Sequence, residues 1–241
     1  MNFALPAFDA VPWFVQFTLA AVRPLAMVVL MPGIGGAALP WRAKFALVAA
    51  LAVFGAWRPD APLLRPADLP QELLCGLVAG LALAVAFGAA TLAGEAIAQM
   101  VGLGFAMLGP MAGSGGALSA LFTTLAWVAL LAGDLHTEFL ALMVAGSGAV
   151  VPAGGLAMGD IAALGGLMFL WGLKVALPLL AVLLLANAVV AIANRAAPQL
   201  SVVAVGPAAL LLAFVTLLPL VLGHVSGRLA QALASALGLV A

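Results

Sequence analysis

Asp134, His136 and Glu138 form the one cluster in the sequence whose residue types could bind a metal ion. On a helix this spacing would place the two carboxylates on one face and the imidazole on another. Two hard oxygen ligands and one imidazole at this spacing match no zinc signature. We interpret residues 134–138 as a solvated turn between apolar helices, and we predict no metal site.

Sequence motifs of catalysis are also missing. The phosphate loop G-x(4)-G-K-[ST], the metalloprotease motif H-E-x-x-H and the nucleophile elbow G-x-S-x-G do not occur. Gly146-Ser147-Gly148 resembles the centre of an elbow, but its flanks are apolar and no acid–base pair lies nearby in the sequence. We therefore predict that the protein is not an enzyme and uses no cofactor.

The composition points to a membrane protein. Of 241 residues, 67% are hydrophobic and 7% are charged, and the mean hydropathy is +1.32. Soluble domains have about 45–50% apolar and about 25% charged residues, and a water-soluble fold could not bury this excess of apolar surface. Eight basic and eight acidic residues cancel, so no basic surface for nucleic acid is expected.

Apolar runs separated by charges, prolines and glycines recur along the chain, without the alternating pattern of strands. We predict an all-α fold, a polytopic membrane protein of roughly six to eight apolar helical segments arranged as helical hairpins. Residues 1–241 are predicted to form a single domain, with a polar connector at 58–72 and an amphipathic tail at 224–241. The predicted segments are Trp13–Leu39, Phe45–Trp57, Leu73–Gly94, Ala117–Gly133, Phe139–Val151, Ile161–Ala193 and Val202–Gly223.

Three charged residues, Arg23, Glu95 and Lys174, lie within or beside these apolar runs. A charge inside a membrane is costly and marks a pathway or a pairing site. Three groups are too few for a proton pathway, so we expect each to pair with a partner inside the chain or across an interface. Gly76 and Gly80 have the spacing that allows two helices to approach closely.

Residues 102–116 differ from all other apolar stretches. Several glycines and a proline make a continuous helix unfavourable here. The stretch nevertheless carries no charge, and irregular apolar backbone is tolerated at membrane depth only where protein covers it or a cavity hydrates it. The sequence therefore predicts a Gly-rich apolar loop. A close-packed crossing between helices is the alternative.

Residues 194–207, N-R-A-A-P-Q-L-S-V-V-A-V-G-P, carry the most specific resemblance to a known family. They resemble the R-x-x-P-Q-[LM]-[NS] signature, followed by an apolar run and a glycine, of the FliR family, the R subunit of the flagellar type III export gate. Further matches in the family's order are Arg23, Pro32, Pro40, Arg42, Lys44, Glu72, Gly76, Gly80, Gly94, Gly102, Gly104, Phe105, Ala106, Pro110, Ser147 and Pro152. Gly109 departs from the pattern, because many relatives have an acidic residue there.

The resemblance implies a multi-pass protein of the bacterial inner membrane and the flagellar basal body. It implies assembly with the P and Q subunits, and with the B subunit, into an entrance for unfolded export substrates. It also implies that the loop plugs the resting pore and that the signature contacts a neighbouring subunit. The implied plug residues are Phe105, Met107, Leu108, Pro110, Met111, Gly113 and Gly115, and the implied signature residues are Arg195, Pro198, Gln199, Leu200 and Gly206.

Two other functions are alternatives to the flagellar gate. The injectisome secretion gate uses a counterpart of the same subunit. A small-solute transporter would call for inverted repeats with broken helices in matching positions, and the sequence shows no such repeat.

Overall fold

The protein is described by a computed structural model that covers residues 10–32, 39–57, 63–102, 116–144, 158–196 and 202–238. Within these ranges the regular structure is helical, which confirms the predicted all-α class. A single 3-10 turn, Pro66–Asp68, precedes the third α-helix. The α-helices are α1 (Ala10–Leu30), α2 (Trp41–Trp57), α3 (Leu69–Val101), α4 (Ala117–Ala132), α5 (Leu135–Val144), α6 (Met158–Ala196) and α7 (Val202–Gly238).

Helix α3 begins earlier than the sequence predicted. The Asp68 carboxylate accepts a hydrogen bond from the Arg65 backbone N–H at 2.8 Å, and Pro66 stands at the start of the 3-10 turn. These two features organise the turn that leads into α3, as at many helix starts. Residues 69–72, which we had assigned to the end of the polar connector, therefore form the first turn of α3.

The last two helices are continuous through their internal prolines. Helix α6 contains Pro178 and α7 contains Pro207 and Pro219. Each proline removes one backbone hydrogen bond, yet the helices continue, as they commonly do in apolar segments where neighbouring groups satisfy the freed carbonyls. The predicted tail at 224–241 is, as far as residue 238, the last part of α7.

The turn between α4 and α5 is shorter than the solvated turn predicted over residues 134–138. Only Gly133 and Asp134 form the turn, and α5 already begins at Leu135. Asp134 has a positive φ of 54°, a conformation that aspartate tolerates better than most residues. Leu135 and Phe139 are both buried, and their burial explains why this segment is helical, although Asp134 and Glu138 are exposed.

Four helical segments are long and apolar enough to cross a membrane, or five if α4 and α5 together form one broken span. Within the α3 segment 61% of the most apolar window is buried inside the protein, against 22% for α6 and 17% for α7. The long helix α3 is thus much more buried than α6 and α7, which present apolar faces outward. These features define a multi-pass membrane protein.

The chain divides into two compact units, and α3 contributes to both. The first unit contains α1, α2, the first half of α3 and most of α5. The second contains the second half of α3 with α4, α6 and nearly all of α7. The single domain that we expected over residues 1–241 stays a prediction.

Close helix contacts in the first unit depend on Gly76 and Gly80. A Cβ atom added at Gly76 would lie 2.5 Å from the Arg23 carbonyl oxygen, and one at Gly80 would lie 3.1 Å from the Met27 Cα atom. Only glycine lets the α3 backbone approach α1 this closely. The close approach predicted from the Gly76–Gly80 spacing is confirmed.

In the second unit α3 runs parallel to α6, because Gly88 lies beside Met168 and Met100 lies beside Asn187. A Cβ atom at Gly172 of α6 would lie 3.0 Å from the Ala89 carbonyl oxygen, and the Asn187 side chain reaches Met100. Helix α4 crosses α3 at Gly94, where an added Cβ atom would lie 2.5 Å from the Ser119 Cα atom. Phe87 and Trp127 pack beside this crossing with ring centroids 4.8 Å apart.

Candidate functional site

A buried ion pair joins three helices of the first unit. The Arg23 Nε atom donates to Glu72 Oε2 at 2.8 Å, and a second guanidinium nitrogen donates to Oε1 at 3.2 Å. The third nitrogen lies 3.4 Å from the Leu142 carbonyl oxygen on α5. Arg23 is 1% exposed and Glu72 is 3% exposed. The paired geometry satisfies both charges where water cannot reach them.

The sequence predicted a partner for Arg23, which is confirmed, but it did not identify Glu72, which we had placed in the polar connector. A signal was available. Glu72, Gly76 and Gly80 recur every four residues and therefore share one face of α3. An acidic residue on the same face as two close-packing glycines indicates a charge that is buried against a neighbouring helix.

Glu95 and Lys174 differ from Arg23 in exposure and in ion pairing. Both side chains are exposed, and the ion pair found within the described ranges joins Arg23 to Glu72. Pairing of Glu95 or Lys174 across an interface with another chain stays a prediction.

The start of the Gly-rich loop is fixed at the end of α3. Gly102 has a φ of +85°, and its N–H donates to the Gln99 carbonyl oxygen at 3.2 Å. The Asn187 side-chain amide donates to the Met100 carbonyl oxygen at 3.4 Å. A left-handed glycine and a side-chain donor are common ways to satisfy the last carbonyls of a helix. Asn187, in an apolar helix, was missed by the sequence analysis, although a lone amide among aliphatic residues was visible there.

The end of the second unit where α3 ends also holds Gly206, the last signature residue, and Pro207, which follows it. A Cβ atom at Gly102 would lie 3.5 Å from the Pro207 ring, so the loop begins beside the start of α7. Gly206 is buried, and a Cβ atom there would lie 4.0 Å from a methyl carbon of Val190 on α6. The structure therefore brings the start of the predicted loop next to the end of the predicted signature.

The far end of the loop leads into α4. Gly116 precedes the helix in an extended conformation, with ψ of 164°, and its carbonyl oxygen accepts a hydrogen bond from the Ser119 hydroxyl at 2.8 Å. Ser119 is buried at the close crossing with Gly94. Both ends of the loop are therefore attached to packed helices of the second unit.

Most of the predicted site residues themselves lie outside the described ranges. Among the signature residues, Arg195 is exposed in the last turn of α6 and Gly206 is buried. The predicted residues outside the described ranges are Phe105, Met107, Leu108, Pro110, Met111, Gly113 and Gly115 of the loop and Pro198, Gln199 and Leu200 of the signature.

Replacing Gly102 with valine is expected to destabilise the protein more than replacing it with asparagine. The space around Gly102 would admit a side chain, so the free-energy cost of a substitution comes from the backbone conformation. A left-handed conformation costs a residue other than glycine about 1–2 kcal/mol. Asparagine tolerates this conformation best and a β-branched residue tolerates it least. The thermal unfolding midpoints of the purified proteins in detergent would measure this order. Gly206→Ala is the control, since it should change the midpoint little. Equal midpoints for Gly102→Val and Gly102→Asn would contradict the left-handed conformation of Gly102.

The Asp134, His136 and Glu138 side chains do not share one environment. Asp134 lies in the turn, and His136 and Glu138 follow in α5. Asp134 and Glu138 are exposed, whereas the Nδ1 atom of His136 is buried without a hydrogen-bond partner in the described part of the chain. No group of three or more potential ligands within the described ranges could hold a metal ion.

The first unit also has an exposed apolar surface. A groove of about 690 Å³ between α1 and α2 is lined by aromatic and aliphatic side chains, which are Trp13, Phe14, Phe17, Ala49, Ala50, Val53, Phe54 and Trp57. Trp57 is 74% exposed. Such a surface requires lipid or another apolar chain as its neighbour.

Long apolar helices, an ion pair buried among them and outward apolar faces define an integral helical membrane protein. Comparison with known proteins gives its family. The family described as "Bacterial export proteins, family 1" matches residues 14–236. The flagellar biosynthetic protein FliR of Pectobacterium carotovorum is 34% identical over 232 residues, covering 89% of this chain and 88% of the relative.

Two further FliR proteins match in the same way. The protein of Escherichia coli K12 is 31% identical over 212 residues, covering 80% of this chain and 79% of the relative. The protein of Aquifex aeolicus is 37% identical over 148 residues, covering 56% and 55%. The chain belongs to this bacterial export family, among whose members are the FliR flagellar biosynthetic proteins, and the resemblance predicted from residues 194–207 is confirmed.

Proposed function

We propose that the protein is a non-enzymatic subunit of the flagellar type III protein export gate, required for assembly of the flagellum. The observation that carries this proposal is the family match over residues 14–236, together with 34% identity to a FliR protein across 89% of the chain. In this function the protein resides in the bacterial inner membrane, in the flagellar basal body. It assembles there with the P and Q subunits and contacts the B subunit.

Outward apolar faces support assembly with other membrane chains. Helices α6 and α7 carry many exposed aliphatic side chains, and Leu220 is 81% exposed. Helices whose apolar faces are not covered by their own chain can be covered by neighbouring subunits as well as by lipid. The P and Q subunits would cover part of this surface.

The Gly-rich loop is proposed as the plug of the resting export pore. Its glycines allow the backbone to move, and the phenylalanine and methionines supply soft apolar bulk. An apolar constriction can exclude water and ions by dewetting, yet it can yield to polypeptides of varied sequence. Attachment of both loop ends to packed helices, at Gly102 and at Gly116, supports a plug that moves while its ends stay in place.

A deletion of the gene tests the proposed function. We expect the deletion strain to lose export of hook and filament proteins and to lose motility, while uptake of small solutes is unchanged. A plasmid copy of the wild-type gene should restore export. Normal filaments in the deletion strain would contradict the proposal, and a selective defect of solute uptake would favour a transporter.

A charge in the loop tests the plug. Gly113→Asp or Gly115→Asp is expected to increase ion leakage through the assembled gate, because a charge hydrates an apolar constriction. Leakage would be measured as growth inhibition and membrane depolarisation in cells that express the complete gate. The control is Gly166→Ala on α6, where no atom lies within 4 Å of the added Cβ. Unchanged leakage in a gate that assembles normally would contradict the plug function.

A further inference from the structure

A small polar cavity lies between α6 and α7, away from the loop and the signature. It has a volume of about 90 Å³ and is lined by Trp171, Lys174, Arg228, Gln231, Ala232 and Ser235. It contains two cationic side chains and no carboxylate. The amide of Gln231 and the hydroxyl of Ser235 can both donate hydrogen bonds. This set of donors matches an anion with several acceptor oxygens.

Neither Lys174 nor Arg228 forms an ion pair in the described part of the chain. The ion pair found there joins Arg23 to Glu72, and the contact recorded for the Arg228 guanidinium is a 3.4 Å hydrogen bond to the His224 ring. Two cations that line one cavity repel each other unless an anion lies between them. The lining of the cavity thus carries two positive charges and no negative charge to balance them.

The position of the cavity along the hairpin indicates where in the membrane it lies. Val190 contacts Gly206 near the tip of the hairpin, while Lys174 and Arg228 meet farther down, so α6 and α7 run antiparallel. Along α6 the distance from Lys174 to Arg195 is about 32 Å at 1.5 Å per residue. A hydrocarbon core is about 30 Å thick. With Arg195 at one membrane surface, Lys174 and Arg228 lie at the level of the head groups of the other.

The surface beside the cavity is apolar toward the hairpin tip. Leu177 lies one turn from Lys174 and is 54% exposed, and Leu220 lies two turns from Arg228 and is 81% exposed. These side chains can contact acyl chains whose head group lies in the cavity. Trp171 stands at the same level as the cations, the position that tryptophan favours at a membrane interface.

We propose that the cavity formed by Trp171, Lys174, Arg228, Gln231 and Ser235 binds the phosphate head group of an anionic phospholipid. The two cations neutralise the phosphate charge, and the amide and hydroxyl donors fix its oxygens. The acyl chains extend along the exposed leucines toward the hairpin tip. Basic pockets between membrane helices bind anionic lipid head groups in this way.

Lipid retention by the purified full-length protein tests the proposal. Detergent-solubilised protein is titrated with phosphatidylglycerol, and bound lipid is measured by native mass spectrometry, with phosphatidylcholine as the zwitterionic comparison. The double substitution Lys174→Gln and Arg228→Gln is expected to lower phosphatidylglycerol binding by about tenfold or more. Arg42→Gln is the matched control, because Arg42 is also a cation beside a tryptophan, Trp41, but it is not one of the residues that line this cavity. It should leave binding unchanged.

A second variant separates loss of binding from loss of folding. The exchange Lys174→Arg with Arg228→Lys keeps both charges and should retain phosphatidylglycerol, while the double glutamine variant loses it. Inorganic phosphate added in excess should not displace the lipid, because the acyl chains contribute to binding. The proposal is overturned if the glutamine variant binds phosphatidylglycerol as wild type does, if phosphatidylcholine binds equally well, or if free phosphate alone displaces the lipid. It is also overturned if the glutamine variant still binds phosphatidylglycerol but no longer copurifies with the other gate subunits.

Discussion

Replacement of Glu72 with leucine is expected to destabilise the protein by about 3–5 kcal/mol, the usual cost of leaving one member of a buried ion pair without its partner. Arg23 would keep its charge in a site where it is 1% exposed. The Leu142 carbonyl oxygen, 3.4 Å away, cannot neutralise that charge. The thermal unfolding midpoint of the purified protein in detergent should fall by roughly 10 °C, and less protein should accumulate in the membrane.

The double variant Arg23→Met with Glu72→Leu is the decisive comparison. Removing both charges together also removes the desolvation cost, so the double variant should be more stable than Glu72→Leu alone. If the double variant lost, relative to the wild type, as much stability as the two single variants lose in sum, the two residues would not be coupled. The 2.8 Å contact would then contribute little to stability.

Replacement of Gly94 with alanine is the second change with a large expected effect. The added methyl group would lie 2.5 Å from the Ser119 Cα atom and 2.7 Å from the Leu118 carbonyl oxygen. Both atoms belong to the backbone of α4, so relief requires a shift of the whole helix. Overpacking of this kind costs about 1–3 kcal/mol, and more where backbone must move. Because α4 holds the far end of the Gly-rich loop, we expect Gly94→Ala to lower both the unfolding midpoint and export.

Gly166→Ala provides the matched control for Gly94→Ala. Both glycines lie inside helices of the second unit, but no atom lies within 4 Å of a Cβ atom at Gly166. Alanine is favoured over glycine within a helix by about 0.5–1 kcal/mol, so Gly166→Ala should leave the midpoint unchanged or raise it. A similar loss of stability in both variants would show that the close crossing of α3 and α4 is not the cause.

The sequence predicted the class of fold because lipid requires long apolar helices, and composition alone identifies such a protein. It predicted the individual helices less well. The connector's last residues became the first turn of α3 because Asp68 and Pro66 organise the preceding turn. The turn after α4 was shorter than predicted because Leu135 and Phe139 are buried. Such boundaries depend on tertiary burial, which a local pattern does not show.

Pairings between distant residues were the hardest part to predict. The Arg23–Glu72 pair joins positions 49 residues apart, and the Asn187–Met100 contact joins positions 87 apart. Each polar residue was visible in the sequence as an exception in or beside an apolar run. Its partner depends on which helices pack together, and the fold of the whole chain decides this. The meeting of Gly102 with Pro207 was unpredictable for the same reason.

Crosslinking to an export substrate caught in transit tests the central claim, that this chain forms part of the export pore, most directly. A photoreactive residue would replace Met107 in the Gly-rich loop, and in a control protein it would replace Leu184, which is 59% exposed on α6. A substrate fused to a domain that cannot unfold would be arrested in the gate. We expect the arrested substrate to crosslink to position 107 and not to position 184. Crosslinking absent from position 107, in cells where the substrate is arrested and the gate is assembled, would contradict this account.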